Sequence, residues 1–552
     1  MPEYLSPGVY IEETQSGPRP IEGISTTTAA FVGFAPSGPA NTPVFVSNWQ
    51  QFKEAFGSLD GNGEKNPYMD GAYLAHSVYA YFNNGGTRCY VVRLAPPTDA
   101  STGKVVDAVK PLQLPTRASK AVPSLSIAAR DGRTSDIQIE VLPPSADALK
   151  PQEPGKDGKP GNPNQKDGKD APRDPEEGND GLFTLKVTRD GQTETFENVS
   201  IGKKHSRNVT EVINRESVMI QIEDASNVGP LVERAPEAGT YVLRADSNPI
   251  VHAKSLKGRD FVGSVDARSG IEGLEIADDV SMIAVPDLMS AYQAGLIDRD
   301  GVKAVQRALI DHCERNQNRI AILDTLPDLT AQQAQHWRNV ETNFDSSYAA
   351  MYYPWMKVDG PNGQPVMVPP SGFVAGIYAR NDVERGVHKA PANEIVRGAL
   401  GPAMQITKGE QDILNPIGVN CIREFPGLGL RVWGARTLSS DARWRYVSVR
   451  RLFNFIEKSI ENGTQWAVFE PNDENLWSKI RRDINAFLTT VWRDGALFGT
   501  NAREAFYVKC DAELNPPEIR DRGILQIEIG LAPVKPAEFI AFRFSQYAGG
   551  GQ

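Results

Sequence analysis

Both ends of this 552-residue chain carry strand-like runs that proline and glycine cut off from the rest. Near the N-terminus Val9-Tyr10-Ile11 is fenced by Pro7-Gly8 on one side and by Pro18 and Pro20 on the other. Near the C-terminus Ile540, Phe542 and Phe544 alternate beyond Pro533 and Pro536, and just upstream Leu525, Ile527 and Ile529 alternate with Gln526 and Glu528. A strand left outside a sheet keeps a row of unpaired N–H and C=O groups, which is an aggregation hazard unless another edge takes it up. The ends therefore predict pairing with another chain. At about 1 kcal/mol net per hydrogen bond, one such link is modest and a lattice of them is strong.

Between those ends lies enough chain for about three or four domains. Hydrophobic residues make up 40%, so large cores are available, and 49 Gly with 40 Pro imply many turns. The formal charge of -10 argues against a polyanion as main partner, and no direct nucleic-acid contact is expected. Cys89, Cys313, Cys421 and Cys510 form no CxxC pair, which reads as reduced thiols in a cytosolic protein. The first residues lack a signal-peptide pattern and no run of about 18 apolar residues occurs, so neither export by a leader nor membrane insertion is expected.

Along the chain, 26–34 is a β-branched and aromatic run predicting a strand. Ser47-Asn48-Trp49 opens a helix that carries Phe52 and Phe56, with Gly57 as its terminating residue. A second helix is predicted over 70–82, ending at Asn84-Gly85-Gly86 in a left-handed turn, with a strand at 88–94. From 104 to 259 short alternating runs predict a small β-rich unit. Inside it, 151–180 has thirteen charged residues and Ala171 as its only apolar member, which predicts a disordered loop. Beyond Gly270, runs at 281–285 and 320–323 around a helix face of Val302, Val305, Leu309, His312 and Cys313 predict an α/β unit with a buried parallel sheet. A further strand is expected over 348–355. Two long amphipathic helices follow, 441–460 with Ser439 or Ser440 as cap, and 475–493.

Motifs for chemistry are scarce. There is no HExxH, GxSxG or P-loop, and no catalytic, cofactor or metal residue is assigned. Asp60-Gly61-Asn62-Gly63-Glu64 starts like a calcium loop but has Lys65 at the glycine position and Gly71 at the bidentate glutamate position, so it reads as a turn. His312-Cys313 are adjacent on a helix and point about 100° apart, which favours core packing over a nucleophile with its base. His388 reads as a solvated loop histidine. Trp433, Trp444, Trp466, Trp477 and Trp492 read as core or interface. Lys479, Arg481 and Arg482 are either a solvated face or a docking stripe for an acidic partner.

Pro7-Gly8-Val9-Tyr10-Ile11-Glu12-Glu13, followed by Phe31-Val32-Gly33 and Gly38-Pro39, resembles the N-terminal signature of contractile tail sheath proteins. The resemblance continues through Asn83-Asn84-Gly85-Gly86 with Cys89 to Arg93, through Pro369 to Gly372, Gly376 to Arg380, Asp382 to Gly386 and Lys389 to Ala392, and through Trp433 to Leu438 with Tyr446 to Arg451. Together these blocks cover roughly 1–95 and 260–545.

The resemblance implies a non-enzymatic, cofactor-free protomer of a contractile phage tail, R-type bacteriocin or related injection system, assembled in the cytoplasm into a phage tail or tail-like particle. Stacked hexameric rings would surround an inner tube protein, with baseplate and terminator proteins at the ends, and collapse of a metastable extended sheath would drive the tube through a target envelope. The implied fold is α/β and α+β multidomain: an extended N-arm (1–25), the first part of the sheath core (26–103), an inserted β-rich outer domain (104–259), a central α/β sheath domain of non-catalytic subtilisin-like topology (260–430), a tube-proximal C-terminal α+β domain (431–532) and an extended C-arm (533–552). Inter-subunit contacts would come from Val9, Tyr10 and Ile11, and from Ile540, Phe542 and Phe544, with Leu525, Ile527 and Ile529 as receiving sheet. Lys479, Arg481 and Arg482 would face the inner tube. The alternatives are a sheath-like baseplate or terminator component that caps instead of polymerising, and a hydrolase on the subtilisin-like domain.

Overall fold

The structure, a computed structural model, describes residues 20–543 apart from 60–63, 95–111, 120–121, 130–135, 146–180, 190, 204, 225–229, 244–255 and 362. The calcium-like turn at 60–63 and the whole acidic, glycine-rich loop 151–180 fall outside the described residues.

Continuous apolar runs form one nine-stranded sheet, in the order Glu394–Ile395, Gly429–Val432, Val419–Phe425, Ala349–Tyr353, Ile320–Asp324, Met282–Ala284, Ala29–Gly33, Cys89–Arg93, Pro43–Val46. From Val419–Phe425 across to Cys89–Arg93 every neighbouring pair is parallel. The strands at both edges are antiparallel. Central strands such as Ala29–Gly33 and Ile320–Asp324 are buried along their whole length, which is why their sequences show no alternation. Ala29–Gly33 sits between Cys89–Arg93 and Met282–Ala284, so chain on both sides of the 104–259 segment builds a single sheet.

Helices Leu74–Asn83, Asp287–Gln293, Arg299–Asn316 and Ser371–Arg385 pack around this sheet. Gly372 and Gly376 let two of them approach closely: a Cβ at either would fall 2.5 Å from a carbonyl oxygen, of Ser77 or of Tyr81. The helix predicted from residue 70 begins only at Leu74, because the backbone N–H groups of Tyr73 and Leu74 donate to the Asp287 carboxylate instead of continuing a turn. Gly85 does take up a positive φ, of 113°, where the chain turns under Arg380. Gly57 does not, ending the Trp49–Phe56 helix in extended backbone at φ -82°.

The inserted segment has a core of its own. A four-stranded sheet (Gln192–Val199, Phe183–Arg189, Ile137–Leu142, Gly239–Leu243) and a three-stranded one (Ile220–Asp224, Pro123–Ala129, Leu112–Pro115) enclose apolar residues from Leu114 to Leu243. A third core lies between helices Val447–Thr464 and Glu474–Arg493 and a two-stranded sheet, Phe506–Lys509 with Glu528–Leu531.

Three sequence expectations need correction here. The first long helix starts at Val447, not at 441, and neither serine caps it: Ser440 is spent on Asp345, donating from its backbone N–H at 2.9 Å and from its Oγ at 2.5 Å. The boundary expected between 430 and 431 cuts through the Gly429–Val432 strand, and the central core runs on through Val432, Leu438 and Val447. Of the alternation over 525–531, only Glu528–Leu531 is strand; Leu525 and Ile527 pack half-buried against the third core.

Candidate assembly surface

The first described residues and the chain just past the Glu528–Leu531 strand both run against the C-terminal unit. The arm expected over 1–25 is not free over its last part. Ile21 is 7% exposed and packs into the third core, and Ile24 N–H donates to Ser459 Oγ at 3.1 Å on the Val447–Thr464 helix. The helix allows this close approach at Gly463, where a Cβ would meet Ile21 at 2.7 Å.

The next turn of chain is locked by charge. Arg451 grips Asp382 with two parallel bonds, Nη1 to Oδ1 at 2.8 Å and Nη2 to Oδ2 at 2.6 Å, both side chains being only 3% exposed. Nη2 also donates to the Thr26 carbonyl at 2.9 Å, and Thr26 Oγ1 donates to Asp382 Oδ2 at 2.5 Å. The guanidinium lies 4.8 Å from the centroid of the Tyr378 ring. A bidentate buried pair with its spare donors and acceptors satisfied holds one geometry and tolerates few others. It fastens the N-terminal chain, the Ser371–Arg385 helix and the Val447–Thr464 helix at one point. The residue just before it, Arg450, donates to Asn454 at 2.7 Å and stacks over Trp444 and Tyr348.

At the other end, Val534 N–H donates to Ala496 O at 3.1 Å and Phe498 N–H to Ala532 O at 2.7 Å, so the chain beyond the Glu528–Leu531 strand stays on its own subunit. Glu538 then accepts from Arg436 Nε at 2.9 Å and Nη2 at 2.7 Å, from Asn415 Nδ2 at 2.7 Å and from Tyr446 Oη at 3.0 Å. Burial raises its carboxyl, but the bonds from Arg436 and Asn415 outweigh that and hold it below the ordinary glutamate value. Immediately past this residue Phe539, Ile540 and Phe542 are 78%, 74% and 77% exposed.

Of the residues singled out from sequence, Val9, Tyr10, Ile11 and Phe544 lie outside the described residues. Ile529 is in the two-stranded sheet and Leu525 and Ile527 lie beside it, whereas Ile540 and Phe542 lie in exposed chain outside any strand. The basic residues on Glu474–Arg493 do not form one stripe. Lys479 and Arg482 are exposed, Arg482 reaching back to Asp483 at 3.2 Å, while Arg481 turns in to donate to Cys510 O at 3.1 Å.

His312 and Cys313 are packing residues, with the His312 ring also hydrogen-bonded. The His312 ring, wholly buried, sits between Glu272 and Arg319 and is pushed down to about 4 by burial and then by Arg319; burial raises the Cys313 thiol to about 12. His388 is half-buried rather than solvated, and burial lowers it. All four cysteines are buried and unpaired. Among the described residues no group of three or more His, Cys, Asp or Glu could hold a metal ion, and no helix is long and apolar enough to cross a membrane.

Sequence reasoning placed Asp382, Arg436 and Arg451 inside blocks of the resemblance but gave them no contacts, and it missed Glu538 altogether. The signals were thin but present: adjacent arginines at 450 and 451 inside an amphipathic helix, and Glu538 as the only acidic residue after Pro533.

Residues 269–438 match the family description "Phage tail sheath protein central domain" and 439–546 match "Phage tail sheath C-terminal domain", together about half of the chain. The tail sheath protein of Vibrio phage KVP40 is 26% identical over 52% of this chain and 46% of its own, so the match spans about half of that relative's length. A putative prophage major tail sheath protein of Pseudomonas aeruginosa (strain UCBPP-PA14) is 28% identical over 54% of this chain and 74% of its own. In three dimensions, a chain of the anti-feeding prophage helical sheath in its contracted state superposes with a TM-score of 0.55 at 22% identity, covering 99% of this chain and all of that one. By sequence this chain belongs to the phage tail sheath family of structural proteins, and its mixed α/β multidomain fold matches that of the anti-feeding prophage sheath chain.

Proposed function

We propose that this protein is the repeating subunit of a contractile sheath, polymerising as stacked six-membered rings around an inner tube. The observation that carries the reading is the C-terminal chain beyond Glu538, which offers Phe539, Ile540 and Phe542 to solvent from a fixed point of departure. Exposed apolar residues in extended chain are costly for a monomer and useful for a subunit whose neighbour provides a sheet edge. The two-stranded sheet Phe506–Lys509 with Glu528–Leu531 is the edge-bearing element proposed to receive such strands, with Ile529 in it and Leu525 and Ile527 alongside. Val9, Tyr10 and Ile11 are proposed as the N-terminal counterpart and Phe544 as the last residue of the C-terminal donor.

In this reading function is mechanical. Folded units keep their internal contacts while the packing between them changes, and the free-energy difference between two lattice packings drives the inner tube forward. The parallel central sheet supports an α/β sheath domain of subtilisin-like topology without its chemistry, and the separate core of 104–259 supports a unit carried on the outer surface. Lys479 and Arg482, exposed on Glu474–Arg493, are the stronger candidates for the tube-facing side; Arg481 is engaged within the subunit. Baseplate and terminator proteins would close the ends, with assembly in the cytoplasm.

Negative-stain microscopy of the purified chain tests this. Long helical cylinders are expected from the full chain, and folded protomers without cylinders after deletion of residues 1–20. Short capped discs from the full chain would favour a baseplate or terminator role. Cylinders unchanged by the deletion would refute the part assigned to the N-terminal arm.

A further inference from the structure

We propose that the contact of Glu538 with Arg436, Tyr446 and Asn415 is a tether that sets where the C-terminal chain leaves its own subunit, so that the length donated to a second copy begins at Phe539. The inference deepens the polymerising reading above and rests on it.

The segment divides sharply at this residue. Before it, Ala532 N–H donates to Ala505 O at 2.9 Å and Val534 N–H to Ala496 O at 3.1 Å, while Pro533 and Pro536 each remove a donor that a strand would need. After it no proline occurs up to Gln552, and Ile540, Phe542 and Phe544 keep a period of two. The chain from 532 to 538 is thus held on its own subunit, where its prolines keep it from continuing as a strand, and Phe539 to Arg543 is free of proline and exposed.

A period-two apolar pattern has a weakness: a slip of two residues puts an equivalent set of side chains on the same face. Nothing in Phe539 to Phe544 itself discriminates one register from the next. Glu538 does, because its partners come from three places in the chain and a two-residue slip would move the carboxylate several ångströms away from all of them. Arg436 is 10% exposed and Glu538 19%, so a slipped register also leaves a guanidinium largely buried without its counter-charge. The partner this donor fits is a second copy of the same chain presenting an exposed sheet edge with apolar pockets at alternate positions. Glu538 is a positioning residue in that exchange.

Hydrogen exchange on the full-length protein, read at the Val534 amide, isolates the tether from general stability. Glu538→Ala should speed exchange there at least about tenfold, since a charge-assisted hydrogen bond is worth about a decade or more in a local opening equilibrium. Amides in the middle of Glu474–Arg493 should not change. In micrographs the same variant should give cylinders that are shorter and less regular than those of the wild type. Tyr446→Phe, which removes one bond and keeps the ion pair, should show the same exchange effect only a few-fold, and serves if Glu538→Ala does not fold. Unchanged exchange at Val534 in both variants overturns the tether. Faster exchange with wild-type cylinders overturns its role in register. A wild-type chain that forms no cylinders overturns the polymerising reading, while the exchange result still decides whether the tether exists.

Discussion

The central sheet and the helix Val447–Thr464 are both buried, but by opposite means. Strands such as Ala29–Gly33 and Ile320–Asp324 are held by apolar side chains with near-zero exposure, an arrangement that is strong, non-directional and indifferent to small shifts in angle. Past Val447, its first residue, which joins the central core, the helix instead meets the body through Arg450, Arg451 and Asn454, each under 6% exposed, and turns Leu452 and Ile456 to the third core. Its contacts with the central body depend on direction. A unit attached in this way sits in one orientation or is detached from it, which suits the rigid-body repacking proposed above.

The largest effect should come from the apolar side of that comparison. Phe31→Ala removes a wholly buried ring from the middle of the sheet and should cost about 3–5 kcal/mol, read by chemical denaturation, with no second-site substitution of a polar partner restoring it. Arg451→Ala should cost about 3–5 kcal/mol or slightly less by stranding Asp382, yet here the double substitution Arg451→Met with Asp382→Leu should recover much of the loss. Equal behaviour of the two sites, with no recovery at the second, would erase the distinction between them.

Acidity sharpens the contrast within the sheet. Burial raises Asp287 and Asp324 to about 7, against three backbone donors for Asp287 and the Ser371 N–H and Oγ for Asp324. Both folded values lie above the unfolded one, so their contribution is fully present below about pH 4 and is lost as pH rises through about 7. Each tenfold difference in proton affinity between the folded and the unfolded chain is worth about 1.4 kcal/mol. Asp324→Asn should therefore flatten the decline of thermal midpoint between pH 4 and 7. A wild-type midpoint that rises across this window would contradict it.

The smallest effect lies where the N-terminal chain crosses the helix. Gly463→Ala should gain up to about 1 kcal/mol of helix propensity, but its methyl would meet Ile21. We expect no net stabilisation and faster hydrogen exchange at the Ile24 amide, which donates to Ser459 on this helix; a gain in midpoint with unchanged exchange would show that this crossing is loose.

Much of the central unit was legible because fully buried parallel strands write themselves as unbroken apolar runs, as at 281–285 and 320–323. The start of Val447–Thr464 was misplaced for an equally physical reason. Ser439 and Ser440 look like caps, but Asp345, 95 residues away, takes the Ser440 hydroxyl, and no local pattern records that. The fenced ends stood out in the sequence as candidates for assembly, whereas the fastening of the chain beside them did not. Asp382 with Arg451 and Glu538 with Arg436 join residues 69 and 102 positions apart, and a lone charge in sequence does not announce its partner.

The most direct measurement is cryo-electron microscopy of cylinders grown from the purified full-length chain. Density for Phe539 to Phe544 running along the Phe506–Lys509 or Glu528–Leu531 edge of an adjacent subunit, with Glu538 still on Arg436 of its own, is the predicted result. Density that folds those residues back onto the subunit they belong to, with no strand passing between copies, would contradict it.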